Sequence, residues 1–114
     1  MGWDIKLEYT DKGYILLENL LYYSKRYDKD VIALVGEEFD GATGAIDICP
    51  PAWIAHDVLC RDGEFADGSI CTNWQASMVL HDILKENGFS VRARTWFVAT
   101  WLLGGGKARK NGMW

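Results

Sequence analysis

The sequence has few cysteines, and none of them stands at Cys-x-x-Cys spacing. Cys49, Cys60 and Cys71 follow one another at intervals of 11 residues. This spacing matches no structural zinc pattern, and three cysteines cannot all pair within one chain. We therefore expect three free thiols and a reducing compartment such as the cytoplasm.

Long apolar runs are also lacking. No stretch reaches the roughly 18 apolar residues that a membrane-spanning helix needs. The first residues, MGWDIKLEY, have neither the basic start nor the apolar core of a signal peptide. These absences predict a soluble chain that the general secretory route does not export.

Acidic residues are missing from the end of the chain. All 16 of them lie at or before Glu86, whereas five basic residues follow it. Such a basic end can contact phosphate, lipid headgroups or an acidic protein, or it can simply keep a tryptophan-rich segment in solution. We single out Arg109, Lys110 and Trp114 as candidate binding residues. The net charge of the whole chain is −4, and nucleic acid is not an expected partner.

The composition is that of one globular domain. Apolar residues make up 49% of the chain and aromatic residues 13%, which is enough for a substantial core. Apolar and polar residues alternate over 3–9, and the stretches 14–24 and 31–39 are rich in strand-forming residues, although 14–24 could also be a short helix. A small N-terminal antiparallel sheet is therefore predicted.

A change of pattern near Pro51 predicts helices after the sheet. The segment before it, DGATGAIDICPP, is a predicted long loop in which Asp40 bonds to amides of its own turn and Gly41 or Gly44 has a positive φ. The fold class is therefore α+β, with two or three helices packed on the sheet.

The predicted helices have recognisable ends. They cover residues 51–60, a segment from a cap at Thr72 or Asn73 to Gly88, and a segment from a cap at Ser90 to the GGG run. We place a single domain at residues 1–104 and a basic, glycine-rich tail at 105–114.

His56 and Asp57 are adjacent on the first predicted helix. Successive side chains on a helix point about 100° apart, so the two residues cannot form a hydrogen-bonded catalytic pair by themselves. His56 would need a carboxylate to orient it, and Asp57 would need further oxygens to hold a hard cation such as calcium. The alternative is a structural hydrogen-bond node.

The sequence resembles a family of small phage and prophage proteins that is named only as domain of unknown function 1353. The resemblance is carried by FDGATG at 39–44, by HDVLC at 56–60 and by NWQASMVLHDILKENGFS at 73–90, and it spans about residues 31–104. It implies a phage-encoded protein, located in the cytoplasm of the infected bacterial host or in the virion. Where the family has tyrosine after its His-Asp motif, this chain has Cys60, which could pair with a histidine as a thiol nucleophile or could be a buried apolar residue.

The His-Asp motif is also similar to that of calcium-dependent secreted phospholipases. That likeness implies His56 as general base, with Asp57 and Asp40 as metal ligands. An aspartate on the facing helix would orient the histidine. This chain has Ser77 at the position where the phage family has that aspartate. Asp82, about one helical turn further along, is the candidate substitute.

Three functions follow from these patterns. We favour an accessory or virion-associated protein that binds a phage structural or host protein and needs no cofactor, because the second-helix aspartate is missing. The second is a small calcium-dependent ester hydrolase, for which membrane lipid is a candidate substrate. The third is an inhibitor that presents its carboxylates to a basic surface of a host protein.

Overall fold

In the part of the chain that the structure describes, five short strands are followed by four helices. The computed structural model describes residues 6–11, 13–39 and 49–114. The α+β class is confirmed, although four helices are present in the described residues and two or three were predicted. The bounds of the elements are β1 Leu7–Thr10, β2 Gly13–Leu16, β3 Leu20–Ser24, β4 Lys29–Ala33, β5 Glu38–Phe39, α1 Pro50–Asp62, α2 Asn73–Glu86, α3 Ser90–Leu103 and α4 Lys107–Asn111.

Part of the sequence prediction cannot be compared with the structure. Asp40, Gly41 and Gly44, together with the turn predicted for them, lie outside the described residues. The first residues of the strand predicted at 3–9 lie outside them as well. These parts of the prediction stay predictions.

The described strands form two small antiparallel sheets. In one, β2 lies between β1 and β5, and in the other β3 pairs with β4. In the β3–β4 pair, Leu20 and Val31 face the core, whereas Leu21 and Ile32 lie opposite each other on the exposed side. The β3–β4 sheet therefore buries one face. The half-buried pattern predicted from the alternation over 3–9 is wrong at Tyr9, which is 58% exposed on β1.

Two breaks divide the stretches that were predicted as single strands. At the first, Asn19 Oδ1 accepts a hydrogen bond from the backbone N–H of Val35 at 2.7 Å. At the second, the Glu37 carboxylate accepts one from the backbone N–H of Leu34, and Gly36 has a φ of 89°. Polar side chains that bind backbone amides compete with strand pairing, and both stretches bend for that reason.

Helix α1 is the centre of the core. Eight of its thirteen residues are buried, and it packs against α2, α4 and the β3–β4 sheet. A helix that is apolar on most sides must be covered on most sides. Helices α2 and α4 and the β3–β4 sheet therefore all pack against α1.

Two glycines let α4 approach α1 closely. Gly63 ends α1 with a φ of 68°, and a Cβ there would lie 2.8 Å from the Cβ of Lys107. A Cβ on Gly106 would lie 2.4 Å from the carbonyl oxygen of Cys60. The glycines at the end of the chain are therefore part of the packing, in addition to linking α3 to α4.

The predicted tail 105–114 contains the fourth helix. Ala108 of α4 is fully buried, and Asn111 Nδ2 donates hydrogen bonds to the carbonyl oxygens of Gly63 at 2.8 Å and Cys71 at 2.9 Å. No periodic apolar pattern marks a five-residue helix, and tertiary contacts hold this one in place.

A capping box begins α2, with Thr72, one of the two residues predicted as the cap, at its N-cap. The Thr72 hydroxyl accepts a hydrogen bond from the Gln75 N–H at 3.3 Å, and Gln75 Oε1 accepts one from the Thr72 N–H at 2.9 Å. The two side chains thus satisfy amides that the first turn of the helix leaves unpaired. The cap predicted at Ser90 is wrong, because Ser90 is the first residue of α3 and Phe89 is its N-cap, with no side-chain cap.

We expect Thr72→Ala to lower the free energy of unfolding by about 1 kcal/mol, because the alanine cannot accept the bond from Gln75. Urea denaturation measures the change. The matched control is Thr95→Ala, at an exposed position on α3, which should stay within about 0.5 kcal/mol of the parent. Equal losses in the two variants would contradict a specific role for the cap.

Candidate functional site

His56 lies inside the fold. It is 6% exposed, and its ring meets the indole of Trp53 edge-on with centroids 6.3 Å apart. The helix α1 buries it because the residue shares the helix with apolar neighbours on nearly every side. An imidazole enclosed in this way has no open path to a substrate.

The two ring nitrogens of His56 have different surroundings. Nε2 lies 3.4 Å from Cys60 Sγ, one helical turn further along α1. Nδ1 lies 3.8 Å from Asp57 Oδ1, which is too far for a hydrogen bond, and it has no hydrogen-bond partner. Burial lowers the pKa of His56, but Asp57 and Cys60 raise it more, to about 9.

Asp57 connects α1 to the first sheet. Its Oδ2 accepts a hydrogen bond of 2.8 Å from the hydroxyl of Tyr14, a buried residue of β2 that stacks on Phe39 with centroids 5.4 Å apart. Burial raises the pKa of Tyr14 far above its usual value, and the charge of Asp57 adds to this effect. The tyrosine therefore stays protonated and donates.

An open groove of about 250 Å³ lies beside this cluster. Cys60 and Asp57 line it, whereas His56 is not among its lining residues. Arg61 contacts Glu37 at 2.6 Å and Asp62 at 2.8 Å, and its guanidinium carbon lies 5.1 Å from the centroid of the Phe39 ring. The lining residues are Glu38, Phe39, Asp57, Cys60 and Arg61.

Asp82 belongs to a different cluster. Both of its oxygens accept hydrogen bonds from Arg26, at 2.8 and 2.9 Å, and Oδ1 lies 3.0 Å from His81 Nδ1. Burial raises the pKa of Asp82, but the bonds to Arg26 and His81 lower it by more than burial raises it. The net shift of this pKa is therefore downward. The structure therefore places Asp82 with Arg26 and not with His56.

Ser77 also lies apart from His56. It is fully buried and accepts a hydrogen bond of 3.0 Å from the Thr100 hydroxyl, so that it joins α2 to α3. Neither of the two positions considered for an orienting carboxylate on α2 bonds to the imidazole in the described part of the chain.

Metal binding by Asp57 and Asp40 stays a prediction. Across residues 6–11, 13–39 and 49–114, no three His, Cys, Asp or Glu side chains are grouped so that they could hold a metal ion. Asp40 is outside these ranges, so only Asp57 of the two predicted calcium ligands has a described position. Asp57, in its described position, is engaged with Tyr14.

The three candidate binding residues near the C-terminus have different roles. Arg109 Nη1 donates to the carbonyl oxygens of Leu102 at 3.0 Å and Gly104 at 2.8 Å, so it caps the end of α3. Lys110 is exposed on α4. Trp114 is 74% exposed, although its ring contacts those of Trp74 and Trp101.

Helix α3 has a second apolar side that the sequence did not identify as a surface. Its buried residues Ala93 and Thr100 belong to the side that packs on α2. Residues at i, i+4, i+7 and i+11 share one side of a helix, and on α3 the exposed side is formed in this way. We call it the outer face of α3, and it consists of Val91, Thr95, Val98 and Leu102.

Some site residues gave no signal in the sequence. Tyr14 and Arg26 bind Asp57 and Asp82 from 43 and 56 positions away, and no spacing rule indicates such pairs. The contact between His56 and Cys60 is different, because a separation of four residues on a predicted helix indicates it directly.

None of the helices in the described residues is long and apolar enough to cross a membrane. Searches with protein-family models, curated proteins and solved structures find no match to the chain. The resemblance of its motifs to a phage family therefore stays a prediction.

The stability of the fold should depend on the charge of His56. Its pKa of about 9 in the folded protein exceeds the ordinary value of 6.5, so the folded state holds the proton more tightly. This contribution is complete below pH 6.5 and is lost as the pH rises towards 9, to a total of at most about 3 kcal/mol.

We therefore expect the unfolding free energy of the parent to fall between pH 6.5 and 8.5, and that of His56→Gln to fall less. Urea denaturation at each pH gives both curves. Thr95→Ala, which changes no titratable group, is the control and should keep the slope of the parent. Identical slopes for the parent and His56→Gln would show that the folded state holds the proton of His56 no more tightly than the unfolded state does.

Proposed function

We propose that the chain is a phage-encoded accessory or virion-associated protein that acts by binding another protein, and that the outer face of α3 is its contact surface. The observation that carries this proposal is that Val91, Val98 and Leu102 are exposed together on the side of α3 opposite its buried residues. The cluster around His56 then serves the fold as a buried node, in keeping with its lack of exposure.

The outer face is unusually exposed for its composition. Val91 is 82% exposed, Val98 45% and Leu102 52%. A group of exposed apolar side chains bordered by polar residues is typical of a contact region. The arrangement supports a partner that covers this side of α3.

The charges around the outer face favour an acidic partner. Arg92 and Arg94 are exposed on either side of the strip, and Lys110 is exposed on the adjoining helix α4. No acidic residue follows Glu86, so nothing in this part of the sequence offsets these charges. Arginine is frequent at the centres of protein interfaces.

The phage origin rests on the motif resemblance alone. A phage structural protein and a host protein are both consistent with the surface, and the host case includes the inhibitor function. An inhibitor of a host protein would then make its contact through the basic outer face of α3, whereas the inhibitor inferred from the sequence presents carboxylates. The location that goes with the proposal is the cytoplasm of the infected host, or the virion.

The first test identifies the partner through a photo-crosslinking amino acid at position 98. We expect it to crosslink to one protein in cells where the encoding phage replicates, because the contact surface must be covered there. The matched control is position 21, since Leu21 is also apolar and is 70% exposed, but on the β3–β4 sheet. Mass spectrometry identifies the product.

Direct binding to the purified partner then checks the surface. Val98→Glu and Arg94→Glu should each weaken binding about tenfold or more, because a charge enters an apolar contact or an ion pair is reversed. Leu21→Glu should bind as the parent does. Equal effects of the three variants would move the interface away from α3, and sedimentation with anionic vesicles without a protein crosslink would replace the protein partner with lipid.

The hydrolase alternative has less support, because His56 is enclosed and Asp82 is held by Arg26. We expect no calcium-stimulated hydrolysis of a phospholipid by the parent. Fatty-acid release with and without calcium is the measurement. Calcium-dependent turnover that disappears in His56→Ala at an unchanged melting temperature would make the His-Asp motif an active site.

A further inference from the structure

We propose that Cys60 is a reactive thiol that exchanges with low-molecular-mass disulfides, so that the groove beside α1 is a site of reversible S-thiolation. The proposal concerns a different side of the molecule from the outer face of α3. It does not depend on the proposed binding function, and its test uses the purified chain alone.

The first support is the contact between the sulfur and the imidazole. Cys60 Sγ lies 3.4 Å from His56 Nε2, at a distance where a thiol proton can pass to the ring. On the far side of the ring, the Asp57 carboxylate lies 3.8 Å from the buried and unpartnered Nδ1. The carboxylate thus favours the protonated ring that an ionised sulfur requires.

The second support is access. Cys60 is partly exposed and lines the groove of about 250 Å³, so a small disulfide can reach its sulfur. Cys49 and Cys71 are 0% exposed, and burial raises the pKa of both thiols, to about 12 for Cys71. The three thiols of this chain therefore differ in reactivity, although the sequence presents them alike.

Other charged and titratable groups surround the pair. Besides Asp57, they are Arg61 on α1 with its partners Glu37 and Asp62, Tyr14 on β2, Glu38 on β5 and Cys71 just before α2. Arg61 is paired with these two carboxylates, and Tyr14 stays protonated. The positive charge that can favour the thiolate, which is the nucleophile in disulfide exchange, is therefore that of the His56 ring.

The exchange is balanced without any external oxidant beyond the disulfide. The Cys60 thiol passes its proton to His56 Nε2, and its sulfur attacks one sulfur of the small disulfide. The bond between the two sulfurs of that molecule breaks, and a mixed disulfide forms on Cys60. The leaving thiolate takes a proton from solvent, and the ring releases the proton that it received, so one disulfide is consumed and one is made.

The test is the rate at which dithiodipyridine modifies the folded protein between pH 6 and 8. We expect one thiol to react, at least about tenfold faster than N-acetylcysteine at pH 6 and with a weaker rise in rate with pH, because the thiolate is stabilised by the imidazolium. Cys60→Ser should remove this phase. The other two thiols should react only after unfolding.

The role of the imidazole is tested by substitution. His56→Gln should slow the fast phase about tenfold or more, whereas the control His81→Gln should leave it unchanged. If His56→Gln does not fold, Asp57→Asn serves instead, since an amide oxygen can still accept the bond from Tyr14 but brings no charge, and it should slow the reaction too. A fast thiol at Cys49 or Cys71, or a Cys60 that matches N-acetylcysteine at every pH, would overturn the proposal.

Discussion

The burial of α1 is the constraint on which the rest of the structure depends. A helix with eight buried residues needs neighbours on most of its sides, and the β3–β4 sheet, α2 and α4 supply them. The same burial encloses His56 and leaves Cys60 and Asp57 at the edge, where the groove begins. The packing of α1 therefore determines that His56 is buried and that Asp57 and Cys60 are partly exposed.

Helices α1, α2 and α3 were predictable from the sequence because their signals are local, whereas α4 was not. The capping box at Thr72 is encoded within four residues, and the ends of α1 and α2 lie next to glycines that stop a helix. The strand breaks were not predictable in the same way. Asn19 and Glu37 interrupt the pairing by binding backbone amides, one of them 16 positions away, and an alternating pattern does not report such bonds.

The candidate site was predicted in part for the same reason. His56, Asp57 and Cys60 lie within one and a half turns of one helix, so their proximity follows from the sequence once the helix is recognised. Tyr14 of β2 donates a hydrogen bond to Asp57. Arg26 of the β3–β4 turn binds Asp82 at a place apart from His56. Those contacts depend on the tertiary fold, and periodicity contains no information on them.

The placement of α4 has a consequence for how the protein opens. Asn111 bonds to the loop after α1 and to the residue before the α2 cap, Gly112 accepts a bond from the first amide of α2, and Arg109 holds the last carbonyls of α3. Detachment of this single turn and a half would release three helix ends at once. Amide hydrogens at those ends should therefore exchange with solvent together, as one cooperative unit, although they are far apart along the chain.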